Sequence, residues 1–312
     1  MEQLNSKVLL FGEYAVLHNG MALVIPCDKY NGRFDFYDTA TNKKFAQQSN
    51  EFLKKFCAFV ASHMDEEFVL EVKLFEQELD NGLFFSSTIP QGYGLGSSGA
   101  LVAAIFLRYL KMAKGVKDDL KALTFQKLHE LKNGLGKLES YFHGVSSGLD
   151  PLSIILNEPI LYKNAKDIVT TQLPEESADS ENVIFLVNTH VGRSTSVMME
   201  KFNALHNDNA FRQKFADHVT LNNNQAINSL LANDTTAFYQ SLHDLSAFQY
   251  NEMREFFPET LHDDVARGLD TGDYLLKICG AGGGGFMLGF TQNWALTQEL
   301  LCRFQPEPIY RF

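Results

Sequence analysis

A stretch rich in glycine and serine, PQGYGLGSSGALVAA, occupies residues 90–104 and leads into an apolar run. Glycines adopt positive φ and let the backbone come close to a ligand. Ser97 and Ser98 stand where a helix would begin, and free N–H groups at a helix start favour an anion. A helix cap after a tight turn needs one glycine and one serine. Four glycines within the eight residues 92–99 exceed that need, so the stretch favours a phosphate-binding loop.

The segment 94–99 also fits the G-x-G-x-x-G pattern of dinucleotide-binding proteins. That fold requires a strand, the glycine turn, a helix and a second strand that ends in an acidic residue about twenty residues further on. The acids at that distance, Asp118 and Asp119, begin an expected helix instead. A P-loop requires a lysine after the last glycine, and protein kinases require H-R-D and D-F-G. The sequence contains none of these.

Two further stretches place reactive or flexible residues together. KVLLFGEYAVLHNG sets Lys7, Glu13 and Tyr14 around a glycine near the start of the chain. KICGAGGGGFMLGF has five glycines in the six positions 280–285, interrupted by Ala281. A hairpin needs one or two glycines. The excess indicates backbone that packs against a ligand or against the first glycine loop.

The elements that must position these residues follow from hydrophobic periodicity and turn signals. Strands are expected in KVLLF, LVIPC, GRFDFYD, EFVLEVKLFE, GLFFSSTIP, VIFLVN, YLLKICG, GFMLGF and PIYRF. Helices are expected at 50–63, 97–114, 119–132, 135–143, most of 194–250, DVARGL and WALTQELLCRF. The order after residue 183 (strand, helices, two strands, helix, strand) fits a split βαβ sandwich. The turn-rich, charged stretch LPEESADSENV predicts a domain boundary near residue 178.

Composition limits the classes of function. The chain has 312 residues and a formal net charge of -11, which suits two domains and argues against binding to nucleic acid or to an anionic membrane. Four scattered cysteines without metal-ligand spacing are expected to be buried, reduced thiols. The first residues lack an apolar segment of signal-peptide length, so a cytoplasmic protein is expected. The sequence leaves open whether the protein forms a homodimer.

The three glycine-containing stretches resemble, in order, the three motifs of the GHMP kinase family, and the resemblance covers nearly the whole chain. The central P-x-G-x-G-L-G-S-S-x-A pattern is highly specific. A fourth stretch, LESYFHGVSSGLDPLS at 138–153, resembles the mevalonate kinases of bacteria most closely. The resemblance implies an α+β fold of two domains. Residues 1–178 would form the ATP-binding domain, similar to ribosomal protein S5 domain 2, and residues 179–312 a ferredoxin-like domain.

The resemblance also implies roles for the polar residues, with ATP and Mg²⁺ as cofactors. Asp150 would be the catalytic base, although Asp150-Pro151 is also a good start for a helix. Lys7 would pair with Asp150 and favour the ionised forms of that carboxylate and of the substrate hydroxyl. Ser98 and Glu139 would bind Mg²⁺, since a hard cation prefers oxygen ligands and keeps several waters.

Two larger sets complete the site that the resemblance implies. ATP and its phosphates would be bound by Gly92, Gly94, Leu95, Gly96, Ser97, Ser98, Gly99 and Ala100. The substrate would be bound by Glu13, Tyr14, His143, Arg193, Thr195, Gly280, Ala281 and Gly282. His143 could equally end its helix.

The acceptor remains open between mevalonate and phosphomevalonate. Tyr14 stands where animal mevalonate kinases have a histidine, and GEYAVL is also typical of phosphomevalonate kinases. A phosphorylated acceptor needs extra cationic groups, for which Arg193 and Lys201 are the local candidates. A carboxylate needs one cation, so the sequence favours mevalonate. A protein of the same fold that senses a ligand without turnover would be expected to lack the base or a metal ligand. A sugar kinase is disfavoured because galactokinase's G-E-H-T-D-Y is absent.

Overall fold

A computed structural model describes residues 2–37, 43–63, 70–110, 125–164 and 167–312. The chain divides into two compact units that are each discontinuous in sequence. Unit 1 comprises residues 1–7, 26–91 and 95–158, and unit 2 comprises residues 8–25, 92–94 and 159–312. The division into domains at residue 178 stays a prediction.

The strands are β1 (Leu4–Phe11), β2 (Ala22–Phe36), β3 (Leu83–Ser87), β4 (Ile160–Asn164), β5 (Asp167–Thr170), β6 (Val183–Asn188), β7 (Leu275–Lys277), β8 (Phe286–Thr291) and β9 (Glu307–Arg311). The α-helices are α1 (Lys43–His63), α2 (Val72–Asp80), α3 (Ser97–Tyr109), α4 (Phe125–His143), α5 (Leu149–Leu156), α6 (Thr195–His206), α7 (Asn209–Lys214), α8 (Leu221–Leu231), α9 (Thr235–Glu252), α10 (His262–Thr271) and α11 (Trp294–Leu300). A π-helical turn, Phe215–Thr220, joins α7 to α8.

Unit 1 is built around a buried helix that follows the first glycine loop. Helix α3 is apolar on nearly all sides, and residues 99–106 are all buried, which is the pattern of a helix enclosed by other elements. The far part of β2 pairs antiparallel with β3, from Gly32 opposite Ser87 to Phe36 opposite Leu83. Asn50 of α1 donates hydrogen bonds to the carbonyls of Leu79 and Leu83. Helix α3 is therefore the enclosed helix of the unit 1 core.

Unit 2 contains a four-stranded antiparallel sheet in the order β7-β8-β6-β9. Strands β6 and β7 are joined by helices and lie on either side of β8, which is the split βαβ arrangement that the sequence predicts. Strand β8 contains Gly289, where a Cβ atom would overlap the ring of Phe185 on β6. Within the same unit the first residues of β2 pair with β4, and β4 pairs with β5.

Several elements differ from the sequence-based expectation. The strand expected in EFVLEVKLFE, residues 67–76, is wrong over 72–76, which belong to helix α2, because Phe75 and Leu79 are buried at helical spacing. Residues 67–69 lie outside the described part. The two strands expected between residues 23 and 38 are one continuous strand, β2, with Pro26 inside it. The two helices expected at 119–132 and 135–143 are one helix over the described residues, α4. Helix α3 ends at Tyr109, earlier than expected, and residues 111–124 lie outside the described part.

Two other expectations were incomplete. Strands β4 and β5 were not predicted. Of the four cysteines, Cys302 is exposed, whereas Cys27, Cys57 and Cys279 are buried, and none of the four forms a disulfide within the described residues. Within the described ranges, no helix is both long enough and apolar enough to cross a lipid bilayer.

Candidate functional site

The first glycine loop turns sharply before α3 begins. Gly92, Gly94 and Gly96 have φ values of 78°, 86° and 77°, in the left-handed region that favours glycine. Gly96 is the N-cap of α3, and neither serine side chain caps the helix. A helix start of this kind, with no side-chain cap, favours an anionic acceptor such as a phosphate.

Lys7 and Asp150 form an ion pair within unit 1. The Nζ atom of Lys7 lies 2.8 Å from Oδ2 of Asp150. The lysine backbone is fixed as well, since its N–H donates to the carbonyl of Leu95 at 3.2 Å. A Cβ atom on Gly96 would lie 3.0 Å from both Cγ and Cε of Lys7. The loop therefore packs directly against the side chain of Lys7. Any residue other than glycine at position 96 would require that side chain to move.

Asp150 lies in the first turn of α5 and does not cap it. The N-cap is Gly148, with a φ of 72°. The alternative prediction, in which Asp150 is the N-cap and Pro151 the first residue of the helix, is therefore wrong by two positions. A Cβ atom on Gly148 would overlap the carbonyl of Lys132. A Cβ atom on Gly99 would lie 3.0 Å from Cβ of Asp150. Close glycine packing thus brings Asp150 to the start of α3.

Glu139 projects from α4 into the interior of unit 1. Its side chain accepts hydrogen bonds from Ser98 (2.9 Å, to Oε1) and Ser146 (2.5 Å, to Oε2). Burial, followed by the negative charge of Asp150, raises the pKa of Glu139 to about 7, and the two serines and Lys7 oppose the rise. Ser146 was not among the expected site residues.

The side chains of Glu139, Ser98 and Ser146 provide the type of ligand atom that Mg²⁺ binds. One carboxylate and two hydroxyls supply oxygen, which Mg²⁺ prefers. Within the described residues no three His, Cys, Asp or Glu side chains come together, so a bound Mg²⁺ would keep water or phosphate oxygens as its other ligands. His143 ends the same helix, but its side chain lies outside the described part.

A cavity of about 620 Å³ opens beside the segment 144–147. Its walls include Ser62 and His63 at the end of α1, Lys132 and Ser140 on α4, and Ser146. The Nζ atom of Lys132 donates to the carbonyl of Ser147 at 3.1 Å. The cavity has the size of a small-molecule site, and it shares Ser146 with the hydrogen bonds of Glu139.

A second group of expected residues lies within unit 2, where Tyr14 contacts the second glycine loop. The Tyr14 hydroxyl donates to the carbonyl of Ala281 at 2.7 Å, and its ring stacks on Phe202 at 4.1 Å. Tyr14 has a positive φ of 58°, and burial raises the pKa of its hydroxyl. Gly280, Gly282, Gly283, Gly284 and Gly285 all have positive φ.

Arg193 lies against both glycine segments of unit 2. A Cβ atom on either Gly94 or Gly280 would lie 3.0 Å from its Nη2 atom. Its Nη1 donates to Thr195 at 3.3 Å. Its Nε is buried and lacks a hydrogen-bond partner among the described residues. Burial lowers the pKa of Arg193, although Cys279 and Tyr14 oppose this. A desolvated guanidinium with an unused donor is suited to an anionic ligand.

Glu13 is enclosed rather than open to a ligand. Its carboxylate is 2% exposed and lies 2.7 Å from Nζ of Lys277, whose side chain is completely buried. Lys277 was not among the expected site residues. The sequence gives little signal for it, because a single lysine at the edge of a strand is common.

Comparisons with known proteins show the fold of the chain, and part of the chain matches one family model. Residues 54–158 match the family model described as the GHMP kinases N terminal domain. No curated protein matches the sequence. The chain is similar to the Streptococcus pneumoniae phosphomevalonate kinase in complex with phosphomevalonate and AMPPNP, with a TM-score of 0.62 and 16% identity over 100% of this chain and 98% of that chain.

Two further solved structures are equally similar. The L. major mevalonate kinase in complex with R-mevalonate has a TM-score of 0.63 and 17% identity, over 96% of this chain and 89% of that chain. The Lactococcus lactis galactokinase complexed with galactose has a TM-score of 0.61 and 17% identity, over 97% and 89%. The chain has the two-domain α+β fold of the GHMP kinases, which are kinases that use ATP. The three structures carry three different acceptors, so this similarity leaves the acceptor undetermined.

Proposed function

Because residues 54–158 match the model of the GHMP kinases N terminal domain and the chain shares the fold of solved phosphomevalonate, mevalonate and galactose kinases, we propose that it is an ATP- and Mg²⁺-dependent kinase that phosphorylates the 5-hydroxyl of mevalonate. The observation that carries the proposal is the ion pair between Lys7 and Asp150, which lies at the start of α3. A kinase for a small alcohol needs a group that accepts the hydroxyl proton next to the groups that hold the phosphates.

Asp150 has the exposure that this role requires. Its side chain is 35% exposed, while that of Lys7 is 5% exposed, so an incoming hydroxyl can reach the carboxylate but not displace the ammonium easily. Asp150 accepts the proton of the acceptor hydroxyl in this mechanism. Lys7 stabilises the negative charge that passes from the carboxylate towards the hydroxyl oxygen.

The phosphates are assigned to the loop from Gly92 to Ala100, where the N–H groups at the start of α3 supply donors. Glu139 and Ser98 would hold Mg²⁺, which neutralises charge on the phosphates when it is bound. The hydrogen bond from Ser146 orients the Glu139 carboxylate. The cavity beside segment 144–147 is assigned to the remainder of the nucleotide, because its wall includes Ser146.

The charges around Arg193 favour a carboxylate acceptor over a phosphorylated one. Lys201, the other cation considered for a phosphate, pairs with Glu255 at 3.0 Å. Lys277 is occupied by Glu13. Arg193 with its unused Nε supplies one cation, which matches the single charge of mevalonate better than the charges of phosphomevalonate.

An ADP-release assay with Mg-ATP tests the proposal when mevalonate, phosphomevalonate and galactose are supplied in parallel. Turnover with mevalonate is the expected result. Arg193→Gln should raise the KM for mevalonate about tenfold or more, because removal of a charged hydrogen bond costs about 1.5–3 kcal/mol. Lys201→Gln serves as the matched control and should leave that KM unchanged.

Other outcomes identify the alternatives. Turnover with phosphomevalonate, together with a raised KM in Lys201→Gln, would establish the phosphomevalonate kinase. ATP binding without turnover of any acceptor would support the non-catalytic sensor and contradict the proposal.

A further inference from the structure

Lys277 is a completely buried lysine at the end of β7 that uses all three of its donors. Its Nζ atom lies 2.7 Å from Oε1 of Glu13, 2.8 Å from the carbonyl oxygen of Ile278 and 2.9 Å from the carbonyl oxygen of Leu10. An ammonium group has three hydrogens to donate. All of them are directed to partners within unit 2, and none is left for a ligand.

The three acceptors belong to two segments that are far apart in sequence. Leu10 and Glu13 flank the glycine of the first motif, and Ile278 leads into the glycine loop 280–285. Tyr14, which follows Glu13, makes a second connection between the same segments through its hydrogen bond to Ala281. The Ile278 N–H is also bound, since it donates to Oε1 of the buried Gln249 at 3.0 Å.

We propose that Lys277 is a positioning residue that holds Tyr14 and the glycine loop 280–285 in place, and that Glu13 serves as its buried partner instead of contacting substrate. A buried ammonium must be paired and hydrogen-bonded to be tolerated. The arrangement therefore exists only when both segments are in register. Glycines allow the loop its positive φ values but do not select them; the lysine selects the arrangement.

The consequence for ligand binding depends on the proposed function, whereas the placement of the loop does not. Tyr14 and Gly280 both lie close to Arg193: a Cβ atom on Gly280 would lie 3.0 Å from its Nη2, and Tyr14 acts on it electrostatically. A shift of Tyr14 or of the loop would move the surroundings of the guanidinium. We therefore expect loss of Lys277 to weaken acceptor binding more than ATP binding.

Three variants separate positioning from simple stability. Lys277→Met removes the donors but keeps an unbranched apolar stem. Glu13→Gln keeps an oxygen that accepts from Lys277 and removes the charge. Asp264→Asn is the matched control, because Asp264 is another buried carboxylate of unit 2 that is ion-paired, in this case with Arg267 and Arg303.

Hydrogen–deuterium exchange of the peptide covering 278–286 is the first readout, and it requires no substrate. Lys277→Met should increase the exchange of this peptide. Asp264→Asn should lower the melting temperature but leave the exchange of this peptide unchanged. In the kinetic assay, Lys277→Met should raise the acceptor KM about tenfold and change the Kd for ATP less than about threefold. Glu13→Gln leaves the buried ammonium without its carboxylate partner, so it should increase exchange of the loop and raise the acceptor KM in the same direction as Lys277→Met.

Two outcomes overturn the inference. Unchanged exchange of the loop in folded Lys277→Met would show that the lysine does not hold it. A raised acceptor KM in Glu13→Gln with unchanged exchange of the loop would assign the Glu13 charge to substrate. If Lys277→Met does not fold, the double variant Glu13→Ala/Lys277→Met removes both charges together. Hydrogen–deuterium exchange of the peptide covering 278–286 in that variant then tests the inference. Absence of turnover in the parent protein would contradict the proposed kinase but leave the exchange result valid.

Discussion

The ammonium of Lys7 lies 2.8 Å from the carboxylate of Asp150, and the two side chains differ in exposure. The lysine is enclosed, with its stem against Gly96, and the carboxylate keeps an accessible face. A pair of this kind cannot rearrange by moving the lysine away. In the proposed mechanism, the proton transfer to the carboxylate therefore takes place beside a fixed positive charge.

Asp150→Asn should abolish most turnover and leave ATP binding nearly intact. The amide has the shape of the carboxylate but cannot accept the hydroxyl proton, and general-base catalysis contributes about 10²- to 10⁴-fold to a rate. We expect a loss of that size in kcat, measured by ADP release, with the Kd for ATP within a few-fold by calorimetry. Activity close to that of the parent would remove Asp150 from the role of base.

Gly96→Ala should reduce both stability and activity. The alanine would carry a positive φ, which costs about 1–2 kcal/mol, and its Cβ would press on the stem of Lys7. Gly272→Ala is the matched control, because Gly272 has a similar φ of 74° and open space around its Cβ position. Both variants should unfold at lower urea concentration, but only Gly96→Ala should lose kcat. Equal kcat values in Gly96→Ala and Gly272→Ala would mean that the loop accommodates the added methyl group without moving Lys7.

Glu139→Gln should raise the Mg²⁺ concentration needed for half-maximal activity about tenfold or more, because loss of a ligand's charge or orientation weakens metal binding by that order. Glu78→Gln provides the control. Glu78 is also held by hydrogen bonds in unit 1, from Arg108 and Tyr109, and its loss should affect stability alone. A Mg²⁺ titration of the initial rate measures both. An unchanged requirement in Glu139→Gln would exclude this carboxylate from metal binding.

The stability of the protein should fall as the pH drops below about 6.5 because His18 becomes protonated. Burial, then the neighbouring His206 and Arg212, lowers the pKa of His18 from its ordinary 6.5. The unfolded chain then binds the proton more readily than the folded one, so protonation favours unfolding. Urea unfolding at about pH 7.5 and about pH 5.5 should show a smaller decrease in His18→Gln than in the parent. An equal decrease in both would assign the pH dependence to other groups.

The sequence predicted the parts of the fold and site that depend on local pattern. The glycine loop before α3 and the split βαβ arrangement are of this kind, since glycine spacing and apolar runs act over short distances. Helix α2 was assigned wrongly because Val72 and Leu74 alternate as in a strand, whereas Phe75 and Leu79 follow the helical period, and burial of the latter pair prevails. The short strands β4 and β5 carry too few apolar residues each to give a clear signal.

The parts that the sequence could not predict depend on contacts between distant residues. Ser146 and Ser147 are equivalent in the sequence, and only the fold directs Ser146 to Glu139. The buried state of Glu13 follows from Lys277, which lies 264 residues away along the chain. Resemblance to a family supplied the proposed roles of Lys7 and Asp150, and the distance between them came from the structure.

Gly148 and Gly99 are enclosed so tightly that a side chain at either would overlap or press on backbone atoms. A mutational scan scored by growth would therefore report that positions 99, 148 and 150 tolerate substitution equally poorly. The reason is packing at the two glycines and chemistry at Asp150. Variants at the two glycines should reduce the amount of folded protein in the cell. Variants at Asp150 should accumulate normally and fail in activity. A parallel measurement of abundance would separate residues needed for packing from residues needed for chemistry.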